Sequence, residues 1–260
     1  MARCLIAAFV LLLAGCAVRA PERPDASLEL PQVGAFSTAR PGAALPTGWR
    51  AWQVAGFKRP TEYRLVDHGG RAVVSAYAQG SASGLVYPVN VDLREYPFLH
   101  WRWMVPALIP SADNTRRQTE DSPVRVIVAF DGDKSRLSFE DRILFDQFRM
   151  ITRQELPFAT LVYIWENRLP KGTVIASAHT ARIQMIVVES GGANLGRWPE
   201  YVRNVGEDYR RAFGEEPGPV RSVGIMTDAD NTGEEASGYY GDIRFLRRRP
   251  RGSTPYVGGP

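Results

Sequence analysis

The chain has 260 residues, with 32 basic against 28 acidic side chains and a formal charge of +4. Apart from Lys58, Lys134 and Lys171 the basic residues are all arginine, interleaved with acids, which excludes the basic stripe of a nucleic-acid binder. With two cysteines, Cys4 and Cys16, it is no disulfide scaffold.

The N-terminus reads as a targeting segment. Arg3 precedes an apolar run from Leu5 to Leu13, too short for the ~20 residues of a membrane span and suited to a secretory signal. Leu13-Ala14-Gly15-Cys16 resembles the bacterial lipobox. That resemblance implies removal of residues 1–15, lipid on Cys16 and a membrane anchor in the cell envelope. Ala17, in place of an aspartate, leans toward the periplasmic face of the outer membrane. An ordinary signal peptide with a chance cysteine is the alternative. Processing at Cys16 would leave no free thiol, so zinc or redox chemistry through sulfur is not expected.

Residues 16–46 are expected to be the lipidated cysteine and a disordered tether, since Pro21, Pro24, Pro31, Pro41 and Pro46 lie among small polar residues. Residues 47–248 form the domain and 249–260 a disordered tail. A basic run, Arg244, Arg247, Arg248, Arg249 and Arg251, closes it and reads as a solvated tail, with anionic lipid as the alternative.

Within the domain the hydrophobic period is mostly two. Leu99, Trp101, Trp103 and Val105 share one face against His100, Arg102 and Met104. Val124, Val126, Val128 and Phe130 repeat the pattern, as do Ile183, Met185 and Val187. Leu161 to Trp165 is apolar on both faces and predicts a central strand. Turns punctuate these runs at Gly69-Gly70, Asp131-Gly132, Pro170-Lys171-Gly172 and Gly191-Gly192. The pattern predicts an all-β fold, an antiparallel sandwich. One or two helices accompany it. Residues 199–213 have helical spacing between Pro199 and Gly214; residues 138–151 are a second helix with Ile143, Leu144 and Phe148 inward.

Chemistry is harder to locate. Gly80-Ser81-Ala82-Ser83-Gly84 fails as a nucleophile elbow because its middle residue is Ala82. The three histidines lack metal-ligand spacing; His179 could serve as a base but has no nameable partner. Trp165, Glu166, Trp198 and His179 are the ligand-binding candidates: two aromatics near element ends, a carboxylate at a strand end, and an imidazole. Core packing is the alternative for the tryptophans and a polar strand terminus for Glu166.

Asp228-Ala229-Asp230-Asn231-Thr232-Gly233 matches the opening of a calcium loop, with oxygens at positions 1, 3 and 5 and glycine at 6. Position 12 is Tyr239, so it is no EF-hand. Asp228, Asp230, Thr232 and Glu234 are the candidate calcium ligands, with a plain Asp/Thr/Gly turn as the alternative and no other cofactor expected. If residues 221–228 and 238–246 pair as a hairpin, Asp242 lies roughly 13 Å along the strand from Asp228 and cannot join it. Parity then turns Tyr240, Asp242 and Arg244 outward.

Several segments in order carry a family resemblance: Pro60-Thr61-Glu62-Tyr63-Arg64, His100-Trp101-Arg102-Trp103, Tyr163-Ile164-Trp165, Arg203-Asn204-Val205 with Asp208-Tyr209-Arg210, Thr227 to Gly233, and Tyr239-Tyr240-Gly241-Asp242-Ile243. Together they resemble the bacterial family known as domain of unknown function 3047, from Trp49 to Phe245. No activity is attached to that family. The closing strand is also similar to the last strand of jelly-roll carbohydrate-binding modules, which implies a jelly-roll-like topology. The expectation is a non-catalytic envelope protein that binds a glycan, with a hydrolase using cleft carboxylates and a protein-interaction module as alternatives.

Overall fold

The computed structural model describes residues 29–53 and 58–252. Among the described residues, thirteen strands form two sheets. The smaller sheet runs β11 (Glu200–Asn204), β6 (Phe98–Met104), β13 (Glu235–Leu246), β4 (Ala72–Gln79) and β3 (Glu62–Asp67), with β1 (Glu29–Gly34) also on β13. The larger runs β2 (Arg50–Gln53), β5 (Ala82–Val91), β12 (Val220–Asp228), β7 (Ser122–Phe130), β8 (Ala159–Glu166), β10 (Ile183–Ser190) and β9 (Val174–Ala176). Pairing is antiparallel except between β8 and β10, which run parallel. The all-β, jelly-roll-like sandwich with two accessory helices is therefore present, with one parallel pair in its larger sheet.

The alternating side chains meet between the sheets. Leu99, Trp101 and Trp103 of β6 and Val124, Val126 and Val128 of β7 are fully buried. The Trp101 ring stacks on Tyr163 of β8, centroids 4.8 Å apart, and so joins the two layers. The larger sheet is apolar on its outer face too, where Val162, Ile164, Met185 and Val187 cluster with Ile175 of β9. That second cluster explains why β8 reads as apolar on both sides.

Four expectations need correction. The tether ends earlier than residue 46: β1 pairs with β13, and Val33 and Phe36 are buried, Phe36 against Trp49. Apolar side chains spaced among prolines resemble a spacer in sequence, but here they extend the core. Residues 1–28, with the signal peptide and Cys16, lie outside the described residues, as do 253–260 of the tail.

The second correction concerns the helix at 199–213. Only α2 (Val205–Phe213) is helical, capped by Asn204, whose side chain accepts the Glu207 N–H at 3.2 Å. Residues 200–204 pair with β6, because Tyr201 opposite Trp101 completes the sheet edge. Gly214 ends the helix at φ 70°, as its position predicts. The first helix, α1 (Phe139–Thr152), begins after a Ser138 cap. Its Ile143 faces outward, unlike Leu144 and Phe148.

Third, β12 and β13 are not a hairpin. They belong to different sheets, and residues 229–234 cross between them. Fourth, β13 changes parity midway. Tyr240 lies opposite Trp103 but Ile243 opposite Trp101, three residues against two, which is a bulge at Gly241. A Cβ at Gly241 would meet the Arg102 side chain at 2.6 Å. The bulge lets Tyr240 face inward together with Ile243 and Phe245, while Asp242 stays outward and accepts from Ser37 N–H and Oγ.

Candidate ligand site on the larger sheet

The outer face of the larger sheet carries a cavity of about 900 Å³. Successive outward residues of β12, Ser222, Gly224, Met226 and Asp228, all line it. Six residue steps at about 3.3 Å each make it roughly 20 Å long. Ile127 and Ala129 of β7 and Val162 of β8 widen the floor. Trp52 and Lys58 border one side, and Phe148 with residues 154–157 border the other. The wall is mostly apolar.

One end is charged. Arg125 lies on the outward face of an otherwise apolar strand and is 5% exposed; Asp228, at the end of β12, is 4% exposed. Arg125 donates from Nε to Asp228 Oδ1 at 2.7 Å and from Nη2 to Oδ2 at 2.9 Å. Asp230 is held by Lys58. Asp121 completes the cluster, with one oxygen of each of the three carboxylates within 4.8 Å of the others. Asp121 accepts the Asn231 N–H at 3.2 Å, the Thr232 N–H at 2.7 Å and the Thr232 hydroxyl at 2.7 Å. Burial pushes the Asp228 carboxyl up to about 6, against the pull of Arg125 and with Asp121 and Asp230 adding to the rise. The loop 228–232 is thus folded around Asp121 by its own donors.

Of the four expected calcium ligands, Asp228 and Asp230 come together. Thr232 turns its hydroxyl to Asp121, and Glu234 turns away to accept from Ser111. A cation here would have to displace Arg125 or Lys58, or the donors on Asp121.

The four ligand-binding candidates do not converge. Trp165 is fully buried and donates to the Gly191 carbonyl at 3.0 Å, so it is core and no platform. Glu166 is buried and accepts the backbone N–H groups of Arg168 and Leu169, capping the turn after β8. Trp198 lies on the smaller sheet, with its Nε1 on His68 at 3.3 Å and the Arg102 guanidinium 4.9 Å from its ring. His179 alone lines the cavity, at the end away from Asp228. Sequence reasoning missed Trp52, Lys58, Asp121 and Arg125. The legible signal was Arg125, one charge in the run Val124 to Val128, which requires a buried partner. Nothing in the sequence pattern joins Asp121 to a loop more than a hundred residues later.

Fold and site together define a two-sheet β-sandwich with a cavity on the outer face of one sheet. The chain belongs to the family described as Protein of unknown function (DUF3047), matched over residues 47–244. No curated protein matches it. Among solved structures it is similar to the Emp47p carbohydrate recognition domain, at 11% identity and TM-score 0.42, covering 86% of this chain and 99% of that one. It is also similar to Cip1, a cellulose-induced protein, at 11% identity and TM-score 0.34, covering 84% and 97%. At these scores neither structure bears on what this chain binds.

Proposed function

We propose that the protein is a non-catalytic binding protein of the bacterial envelope, and that its ligand is a glycan held in the cavity along β12. The observation that carries this reading is the cavity itself, of a volume typical for small-molecule sites. Trp52 supplies a ring against which a sugar face can pack, and Asp230, Asn231 and Gln118 supply donors and acceptors for hydroxyls. The lipobox resemblance supports an anchor at Cys16 and the outer membrane's periplasmic face. Isothermal titration with an envelope glycan panel tests the ligand class. Heat from at least one glycan, lost in Trp52→Ala, is expected; no binding across the panel contradicts it. Failure of Cys16→Ser to leave the membrane fraction would contradict the anchor.

One observation favours a second reading as hydrolase: Asp228 and Asp230 converge at the cavity end, and Asp228 is raised toward the range of a general acid. We favour binding because Arg125 engages both oxygens of Asp228 and Lys58 holds Asp230. Release of reducing sugar by wild type, abolished in Asp230→Asn, would instead establish the hydrolase.

A further inference from the structure

We infer that the cavity takes an amphiphile, a glycan head carrying an alkyl or acyl chain, with the chain laid along the outer face of β12. This rests on the cavity being the ligand site and specifies what that ligand must look like.

Two observations carry it. First, the middle of the trough is apolar, between a charged end at Asp228 and a polar end at Ser222, Thr160 and His179. The ion pairs Arg125–Asp228 and Lys58–Asp230 sit at one end. Between the two ends the floor and walls include Met226, Ile127, Val162, Gly224, Val86 and Phe148. Sugar hydroxyls placed over those side chains would lose water without gaining partners, at a cost for each unpaired group. A hydrocarbon chain loses nothing there and gains about 0.8 kcal/mol for each buried methylene. Gly224 and Ala129 keep the floor low enough to receive it.

The second observation is independent of the lining. Among the described residues, five large apolar side chains are exposed, and four of them are on α1. Phe139, Met150 and Ile151 are 68%, 79% and 81% exposed, and Ile143 joins them. The same helix and the segment after it border the cavity through Phe148, Leu156 and Pro157. A chain-bearing ligand must come out of a membrane or micelle, and exposed apolar side chains on the helix that borders the cavity offer a surface for that transfer. A free sugar makes no such demand.

Titration of the full chain with maltose, octyl maltoside below its micelle concentration, and octanol separates the alternatives. Octyl maltoside is expected to bind at least tenfold more tightly than either other probe. Ala129→Phe, which fills the floor, should bring octyl maltoside to within twofold of maltose with the melting temperature unchanged. Equal binding of maltose and octyl maltoside to wild type would overturn the proposal while leaving the glycan reading intact. Octanol binding as tightly as octyl maltoside would overturn both, since no head group would be recognised. Binding of none of the three overturns the proposal, and the glycan panel then decides the broader reading. The wild-type comparison stands even if Ala129→Phe fails to fold.

Discussion

Arg125 grips Asp228 through two parallel hydrogen bonds across adjacent strands β7 and β12, with both side chains almost entirely buried. The pair closes the charged end of the cavity. Removing one partner strands the other charge in a low-dielectric site. Arg125→Met is expected to cost about 3–5 kcal/mol in urea denaturation. Combining it with Asp228→Asn should recover more than half of that loss. Additive losses in the double variant would show that the two residues are not energetically coupled.

The raised Asp228 carboxyl gives a pH signature. Its folded-state value is about 6, against about 4 for an ordinary unfolded aspartate. Between those values the folded chain holds a proton that the unfolded chain has released. Stability from this group therefore falls as pH rises from about 4 to 6, and is flat above. Measured against Asp228→Asn, wild type should be relatively more stable at the acid end, by on the order of 1–3 kcal/mol. A difference that stays constant across this range contradicts the assignment.

Calcium is expected to leave the melting temperature where chelator leaves it. Donors already occupy both oxygens of Asp121 and of Asp228, and Lys58 holds Asp230. A bound ion at a hundred times its dissociation constant would add about 2.7 kcal/mol. A stabilisation of that size in millimolar calcium would mean that Arg125 and Lys58 yield to the metal.

The two tryptophans proposed from sequence should now behave differently. Trp165→Ala removes a fully buried ring and is expected to cost about 3–5 kcal/mol. Trp198→Ala, on the smaller sheet, should cost about 1 kcal/mol and leave cavity binding unchanged. Loss of binding in Trp198→Ala with wild-type stability would move the ligand to the other sheet.

These contrasts show where the sequence was informative. Period-two runs such as Leu99-Trp101-Trp103 and Val124-Val126-Val128 announced their strands because burial on one face imposes that spacing. The site was less legible because it depends on which strands become neighbours. Arg125 and Asp228 lie more than a hundred residues apart, and only the β7–β12 pairing unites them. Tyr240 was turned the wrong way because one bulge at Gly241 reverses parity, and an isolated glycine in a strand marks such a place without saying that it is used. Residues 200–204 misled because Tyr201, Val202 and Val205 fit a helical period while the edge of the smaller sheet claimed them as a strand.

Methyl-resolved NMR during titration with octyl maltoside locates the ligand. Shifts are expected at Ile127, Val162, Ile183 and Met226, which line the cavity, and none at Val124, Val126 or Val128 in the core between the sheets. Shifts confined to residues around Trp198 and Tyr239 on the smaller sheet, or no shifts at saturating probe, would contradict it.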